Sequence, residues 1–366
     1  MARGERMAKQ YGKWRVVRDL GQGGQAITYV VLESGRDDQP ENRRVLKRLK
    51  NVKRKPRFEQ ELEAGLALSH PNIIHVEDHD INHHPPYFIT EYCAGGTLED
   101  SLDIIKMMPT RHRLELFRSI CNGVAHAHCN RPRIIHRDLK PENIFLREPG
   151  QIPVIGDFGL CFKDDGERYT LLDEQVGSRF YMAPELADGK AEEVGPQCDI
   201  YSLGKVFYWI IANGRIFDRE RHREPKYDIS KDRVEPEYFL INALLDKMIA
   251  TDPLTRFSDA AVLVQEVERL IKQMDNHGHH IDIDVPQLCM FCGLGRYQVV
   301  FDQVNVPNRN VNSFEVNQTT VHIRQFGLNA NVETQWLILV CDNCANVQMF
   351  RPDCSKNRTA WRRNKP

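Results

Sequence analysis

IIHRDLKPENIF, residues 134–145, sets His136, Arg137, Asp138, Lys140 and Asn143 within eight positions. Three further motifs stand around it in order. Downstream, IGDFGLC holds Asp157, Phe158 and Gly159, and GSRFYMAPE runs from Gly177 to Glu185. Upstream, Lys47 ends the strand-like RVLK. Before it, LGQGGQAITYV, residues 20–30, reads G-x-G-x-x with Ala26 where a third glycine would complete a loop. Alone, that glycine run could be a plain β-turn; order and spacing give it its meaning.

These motifs resemble the signature set of the eukaryotic-type Ser/Thr protein kinases. The resemblance covers residues 14 to about 272 and implies a bilobal α+β fold. It implies ATP and Mg²⁺ as cofactors and a protein substrate bearing Ser or Thr. Phosphoryl transfer is mostly positioning and electrostatics. Gly21 and Gly23 would let the backbone approach the phosphates, because a Cβ there would stand in the way. Ala26 adds one methyl, which stiffens or weakens loop closure. Lys47 would hold the α/β-phosphates. Counting back from His70 of HPNII selects Glu61 as its partner, with Glu59 and Glu63 as solvated alternatives. Asp138 would accept the substrate hydroxyl proton, and Lys140 would neutralise the transferring phosphoryl. Asn143 and Asp157 offer the oxygen ligands that suit Mg²⁺. ITEYCAGGTL, residues 89–98, matches the hinge, with backbone near Glu91 and Cys93 on the adenine edge and Thr90 at the gatekeeper position. Glu185 is expected to pair with Arg256, and Asp199 to brace the catalytic loop.

One departure bears on regulation. Four residues after Glu61 the family usually has a large apolar residue, and here stands Gly65. Either Leu66 substitutes through a helix shift, or the helix is less firmly held. In the activation segment, Glu174 stands where a phosphosite would face Arg137, with Thr170 the alternative site.

Composition excludes several classes. The chain has 366 residues, with Lys+Arg 50 against Asp+Glu 51, so no bulk charge signals nucleic acid or membrane. No apolar run is long enough to span a bilayer, and MARGERMAKQYGKW lacks the apolar core of a secretory signal. The expected setting is cytoplasmic and reducing, where cysteines are thiols or metal ligands.

Residues 14–91 read as a β-rich N-lobe with one helix starting near Pro56, its apolar face carrying Phe58, Leu62 and Leu66. Residues 92–272 read as hinge and helical C-lobe. RLELFRSICNGVAHAHC has helical spacing, and DIYSLGKVFYWIIAN is apolar nearly all round. Ser258 is the expected cap of a last helix with the stripe Leu263, Val267, Leu270 and Met274. A polar linker, 273–284, precedes a small β-rich domain, 285–352, and a basic tail, 353–366. The small domain holds C-x₂-C twice, Cys289/Cys292 and Cys341/Cys344. It resembles a zinc ribbon, a thiolate tetrahedron for Zn²⁺ with a protein or nucleic-acid partner. Four metal-free thiols are the alternative. For the whole chain, the rival to an active kinase is a pseudokinase platform presenting the ribbon, and a small-molecule phosphotransferase is a third reading.

Overall fold

The computed structural model describes residues 9–22, 26–158, 178–187, 194–231 and 236–276, and beyond these only six short backbone strands. Its contacts divide into two compact units, one of residues 1–231 with 244–269, the other of 232–243 with 270–366.

The first unit begins with a six-stranded antiparallel sheet, in the order β1-β2-β3-β4-β6-β5. Its strands are β1 (Gln10–Tyr11), β2 (Trp14–Gln22), β3 (Ala26–Glu33), β4 (Arg43–Leu49), β5 (Val76–Asp80) and β6 (Tyr87–Glu91). Alternation in β4 sends Leu46 to one face and Lys47 to the other. Leu46 joins Tyr11, Trp14, Tyr29, Val31, Tyr87 and Ile89 in one buried cluster. Trp14 leads into that cluster and still satisfies its indole, which donates to Asp78 Oδ2 at 2.7 Å. On the opposite face Leu49, Phe58, Leu62, Val76 and Phe88 form a second cluster, and this is where helix α1 (Lys55–Ala67) docks. Pro56 fits its first turn because the missing N–H would be unpaired there anyway. Full burial of Phe58 contributes about 2–3 kcal/mol.

Leu66 departs from expectation: it is 52% exposed. The reason is helical phase. At 100° per residue, Leu66 stands about 80° away from Phe58 around the helix, whereas Gly65 stands within about 20° of it. Gly65 therefore faces the core, and Val76 fills the space: a Cβ on Gly65 would meet Val76 Cγ2 at 2.6 Å. No helix shift brings Leu66 inward.

The rest of this unit is mainly helical. It contains α2 (Leu102–Met107), α3 (Thr110–Cys129), the hairpin β7 (Ile144–Leu146) and β8 (Pro153–Ile155), the short α4 (Pro184–Ala187) and α5 (Gln197–Ile211). The helices α6 (Pro236–Met248) and α7 (Ala260–Asn276) follow, each divided between the two units. In α3, Leu114, Phe117, Ile120, Cys121 and Val124 are buried at helical spacing, and Phe117 stacks on Phe207 of α5 at 4.2 Å. Fourteen residues of α5, from Cys198 to Ile211, are buried, as its apolar composition predicts. The α7 cap differs from expectation. Asp259 Oδ1 accepts from the Ala261 and Val262 amides at 3.0 and 3.1 Å, while Ser258 Oγ donates to Asp259. A carboxylate one residue nearer the helix outcompetes the hydroxyl for the same N–H groups.

The second unit contains a four-stranded antiparallel sheet, β14-β13-β10-β9, and a separate pair, β11-β12. Their backbones run Gln287–Leu288 (β9), Arg296–Phe301 (β10), Ser313–Val316 (β11), Thr319–His322 (β12), Leu337–Cys341 (β13) and Val347–Phe350 (β14). Among the described residues no helix is long and apolar enough to cross a membrane.

Candidate active site

The sheet, α1 and the hairpin bring the motif residues into two clusters. In the first, Lys47 is set by its register against Thr28 and Phe88. Its Nζ donates to Glu61 Oε1 at 2.5 Å and lies 3.3 Å from Asp157 Oδ1. Glu61 is the partner reached from α1; Glu59 pairs with Lys55 instead, at 3.4 Å. Burial raises the Glu61 carboxyl, to about 7, against the pull of Lys47. Burial also works against the Lys47 charge, but Asp157 and Glu61 outweigh it and raise the amine. The close contact keeps the coupled pair ionised, and burial makes its carboxylate half the first to take up a proton. For Asp157, burial is again the largest influence, yet Lys47, Arg57 and His136 overcome it and take the carboxyl down to about 2. Asp157 sits at φ +60° and Arg137 at +65°, two left-handed residues flanking the site.

In the second cluster, Lys140 Nζ lies 2.9 and 3.2 Å from the two Asp138 carboxylate oxygens. Asn143 Nδ2 donates to the Asp138 carbonyl at 2.8 Å and to Asp138 Oδ2 at 2.9 Å. A buried frame holds these residues. Asp199 accepts from the His136 and Arg137 amides, both at 2.8 Å, and from His128 Nε2 at 2.9 Å. Burial would raise the Asp199 carboxyl, but its hydrogen bond and charge partners His128 and His136 lower it on balance. His136 Nδ1 accepts from the Asp138 amide, and its Nε2 donates to the Gly156 carbonyl at 2.9 Å, joining the clusters. Arg256 donates to both Glu185 oxygens, at 2.6 and 3.0 Å. Asp199 and Glu185 thus act as the expected scaffold.

In β6 and just after it, Thr90 and Cys93 are both buried. Burial pushes the Cys93 thiol up to about 12. The Glu91 side chain has a role that its motif does not announce. It holds Arg147 at 2.6 and 3.0 Å and accepts the His75 amide at 3.0 Å. Arg147 Nη1 also donates to the Pro71 carbonyl at 2.7 Å. The residue follows the NIFL run with no spacing signal, so sequence reading does not find it.

Gly21 is the next-to-last residue of β2, and among the described residues a Cβ there would find nothing nearer than Thr28 Oγ1 at 3.9 Å. Gly23, Thr170 and Glu174 lie outside the described residues, as do Cys289, Cys292 and Cys344. Cys341 is the last residue of β13. Among the described residues no group of three or more His, Cys, Asp or Glu is arranged to hold a metal ion.

The family model for the protein kinase domain matches residues 14–274. The chain is 26% identical over 274 residues to the serine/threonine-protein kinase PrkC of Bacillus subtilis strain 168, covering 70% of this chain and 40% of that protein. It is 27% identical over 350 residues to the probable serine/threonine-protein kinase MARK-C of Dictyostelium discoideum, covering 93% and 40%. It is 33% identical over 210 residues to the maternal embryonic leucine zipper kinase of Xenopus tropicalis, covering 56% and 31%. The chain therefore spans less than half the length of these relatives. The two linked clusters on a β-rich and a helical half, with a match that runs through most of the chain, make it a member of the protein kinase family.

Proposed function

We propose that the chain is a Ser/Thr protein kinase that transfers the γ-phosphoryl group of ATP, with Mg²⁺, to a hydroxyl of a protein substrate. One observation carries the reading: Lys47 is tied to Glu61 and Asp157, while Asp138 is tied to Lys140 and Asn143, and His136 joins the two sets. The residues fit the nucleotide and the metal. Among the described residues nothing lies closer than 3.9 Å to where a Cβ on Gly21 would be, which suits a close approach of backbone and phosphate. Asp157 is ionised and its side chain 40% exposed. Asn143 has committed its Nδ2 to Asp138, which leaves its Oδ1 as the acceptor. An ionised carboxylate and an amide oxygen are the hard donors Mg²⁺ takes. Held by Asp157 and Asn143, the metal would offset the negative charge of the phosphates.

In this reading Lys47, oriented by Glu61, grips the α/β-phosphates. Asp138 orients the acceptor hydroxyl and takes its proton. Lys140, already beside Asp138, screens the repulsion between that carboxylate and the incoming phosphoryl oxygens. Hinge backbone near Glu91 and Cys93 takes the adenine edge. Labelled ATP with purified chain and a Ser/Thr peptide library tests the activity; no transfer with Mg²⁺ present would reject it.

The kinase domain spans 14–272 in this proposal, and residues 285–352 form a zinc-ribbon-like module for recruitment or regulation, toward a protein or nucleic-acid partner. Backbone register supports it. Tyr297, near the start of β10, pairs with Cys341, the end of β13. The start of β10, four residues after Cys292, therefore lies beside Cys341 at one end of the sheet, as a shared Zn²⁺ requires.

A further inference from the structure

The loop from α1 to β5 is sewn to both α3 and β8. His70 stacks on His126 of α3, with ring centroids 5.0 Å apart and planes 28° from parallel. His70 Nδ1 accepts the Asn72 amide at 3.0 Å. Asn72 is buried; its Nδ2 donates to the Pro153 carbonyl at 2.8 Å, and its own carbonyl takes the Ile155 amide at 2.9 Å. Ile74 returns a bond to the Ile155 carbonyl, also at 2.9 Å. Gly123, three residues before His126 on α3, permits this approach, since a Cβ there would lie 2.7 Å from the Asn72 carbonyl oxygen. Strand β8 ends at Ile155, two residues before Asp157.

We propose that His70 is a positioning residue for Asp157, and that its imidazole, stacked on His126, makes the seat of β8 sensitive to pH. The proposal rests on the kinase reading of Asp157. Nδ1 can accept the Asn72 amide only while the ring is neutral, with its proton on Nε2. Protonation turns Nδ1 into a donor facing another donor. It also sets a cation against His126, a repulsion when both rings carry charge. From α3 the titratable group acting on His70 is His126. Just past β7, Arg147 donates to the Pro71 carbonyl, and its charge is paired with Glu91. Burial first, and His126 second, hold the His70 imidazole below its ordinary value. Because the folded state resists this proton, stability is lost as pH falls below about 6.5, the value for a free histidine. The loop that opens is the one that runs from α1, which carries Glu61, to β5, and that is hydrogen-bonded to β8, the strand leading to Asp157.

The test is an imidazole titration by NMR on the full chain, beside a pH series of peptide phosphorylation. His126→Phe keeps a ring in the stack and removes its charge, so the His70 midpoint should rise toward that of a free histidine. His70→Asn keeps an oxygen that can take the Asn72 amide as an Asx turn and cannot titrate. Normalised to its own rate near pH 7.5, the wild type should lose severalfold more activity by about pH 5.5 than His70→Asn does. An unchanged His70 midpoint in His126→Phe, or superimposable profiles for wild type and His70→Asn, would overturn the proposal. A wild-type chain without transfer near pH 7.5 rejects the kinase reading instead, and the imidazole coupling is still decided by the titration.

Discussion

Val76 occupies the space that a side chain at position 65 would need: its Cγ2 lies 2.6 Å from where a Cβ on Gly65 would be. The helix carrying Glu61 is thus packed against β5 through a glycine. Gly65→Leu, which supplies the large apolar residue usual in the family, should therefore overpack the contact instead of reinforcing it. The expected cost is about 1–3 kcal/mol of stability, with α1 displaced and activity lowered. Denaturant unfolding and a peptide assay check this. A variant as stable as wild type, with equal or higher activity, would mean that the contact is loose.

Arg256 has a fully buried side chain, and Glu185 supplies its counter-charge. Glu185→Ala leaves the guanidinium buried with three carbonyl acceptors, those of Ala250, Gln197 and Thr251. Removing one partner of a buried pair costs about 3–5 kcal/mol, and the retained carbonyls put this case at the lower end. Unfolding midpoints of wild type and variant measure it.

Lys205, inside α5, is 4% exposed and donates to the Phe217 and Arg219 carbonyls, both at 2.8 Å, with its Nζ 3.5 Å from the centroid of the Phe217 ring. The carbonyls and the ring face favour the ammonium; burial disfavours it more and takes its pKa down to about 7. Between about 7 and the ordinary lysine value the unfolded chain holds the extra proton, so stability rises with pH across that window. Lys205→Met should lack this rise and should cost stability at high pH, where two carbonyls lose their donor. Equal stability gains from pH 7 to pH 9 in both proteins would contradict it.

The local motifs were legible because each chemistry needs particular residue types at short, fixed spacing. HRDLKPEN and DFG gave Asp138, Asn143 and Asp157, and counting back from His70 gave Glu61. What sequence did not reveal depends on tertiary register. Arg147 sits 56 residues from Glu91, and nothing local marks either as the other's partner. The apolar face of α1 was misphased at Leu66, because spacing by fours drifts around a helix of 3.6 residues per turn. Ser258 and Asp259 are both good caps, and only the helix start decides between them. Strand β1 is two residues long, too short to show alternation.

The C-terminal module yields a prediction about metal. One zinc per chain should co-purify, and a Cys289→Ser, Cys292→Ser double variant should lose it. Metal and folding are coupled in such modules, so chelation should unfold residues 285–352 and leave peptide phosphorylation largely intact. Elemental analysis without zinc, on protein purified without chelator, would contradict the proposal.

The proposed transfer makes Asp138 the group that receives the substrate proton. The most direct measurement is phosphoryl transfer from labelled ATP to a Ser/Thr peptide, for wild type beside Asp138→Asn, with Mg²⁺-dependent ATP binding followed on the same samples by thermal shift. The account predicts transfer by the wild type, kcat lower by about 10²–10⁴ in the variant, and nucleotide binding retained in both. Transfer by Asp138→Asn at the wild-type rate would contradict it.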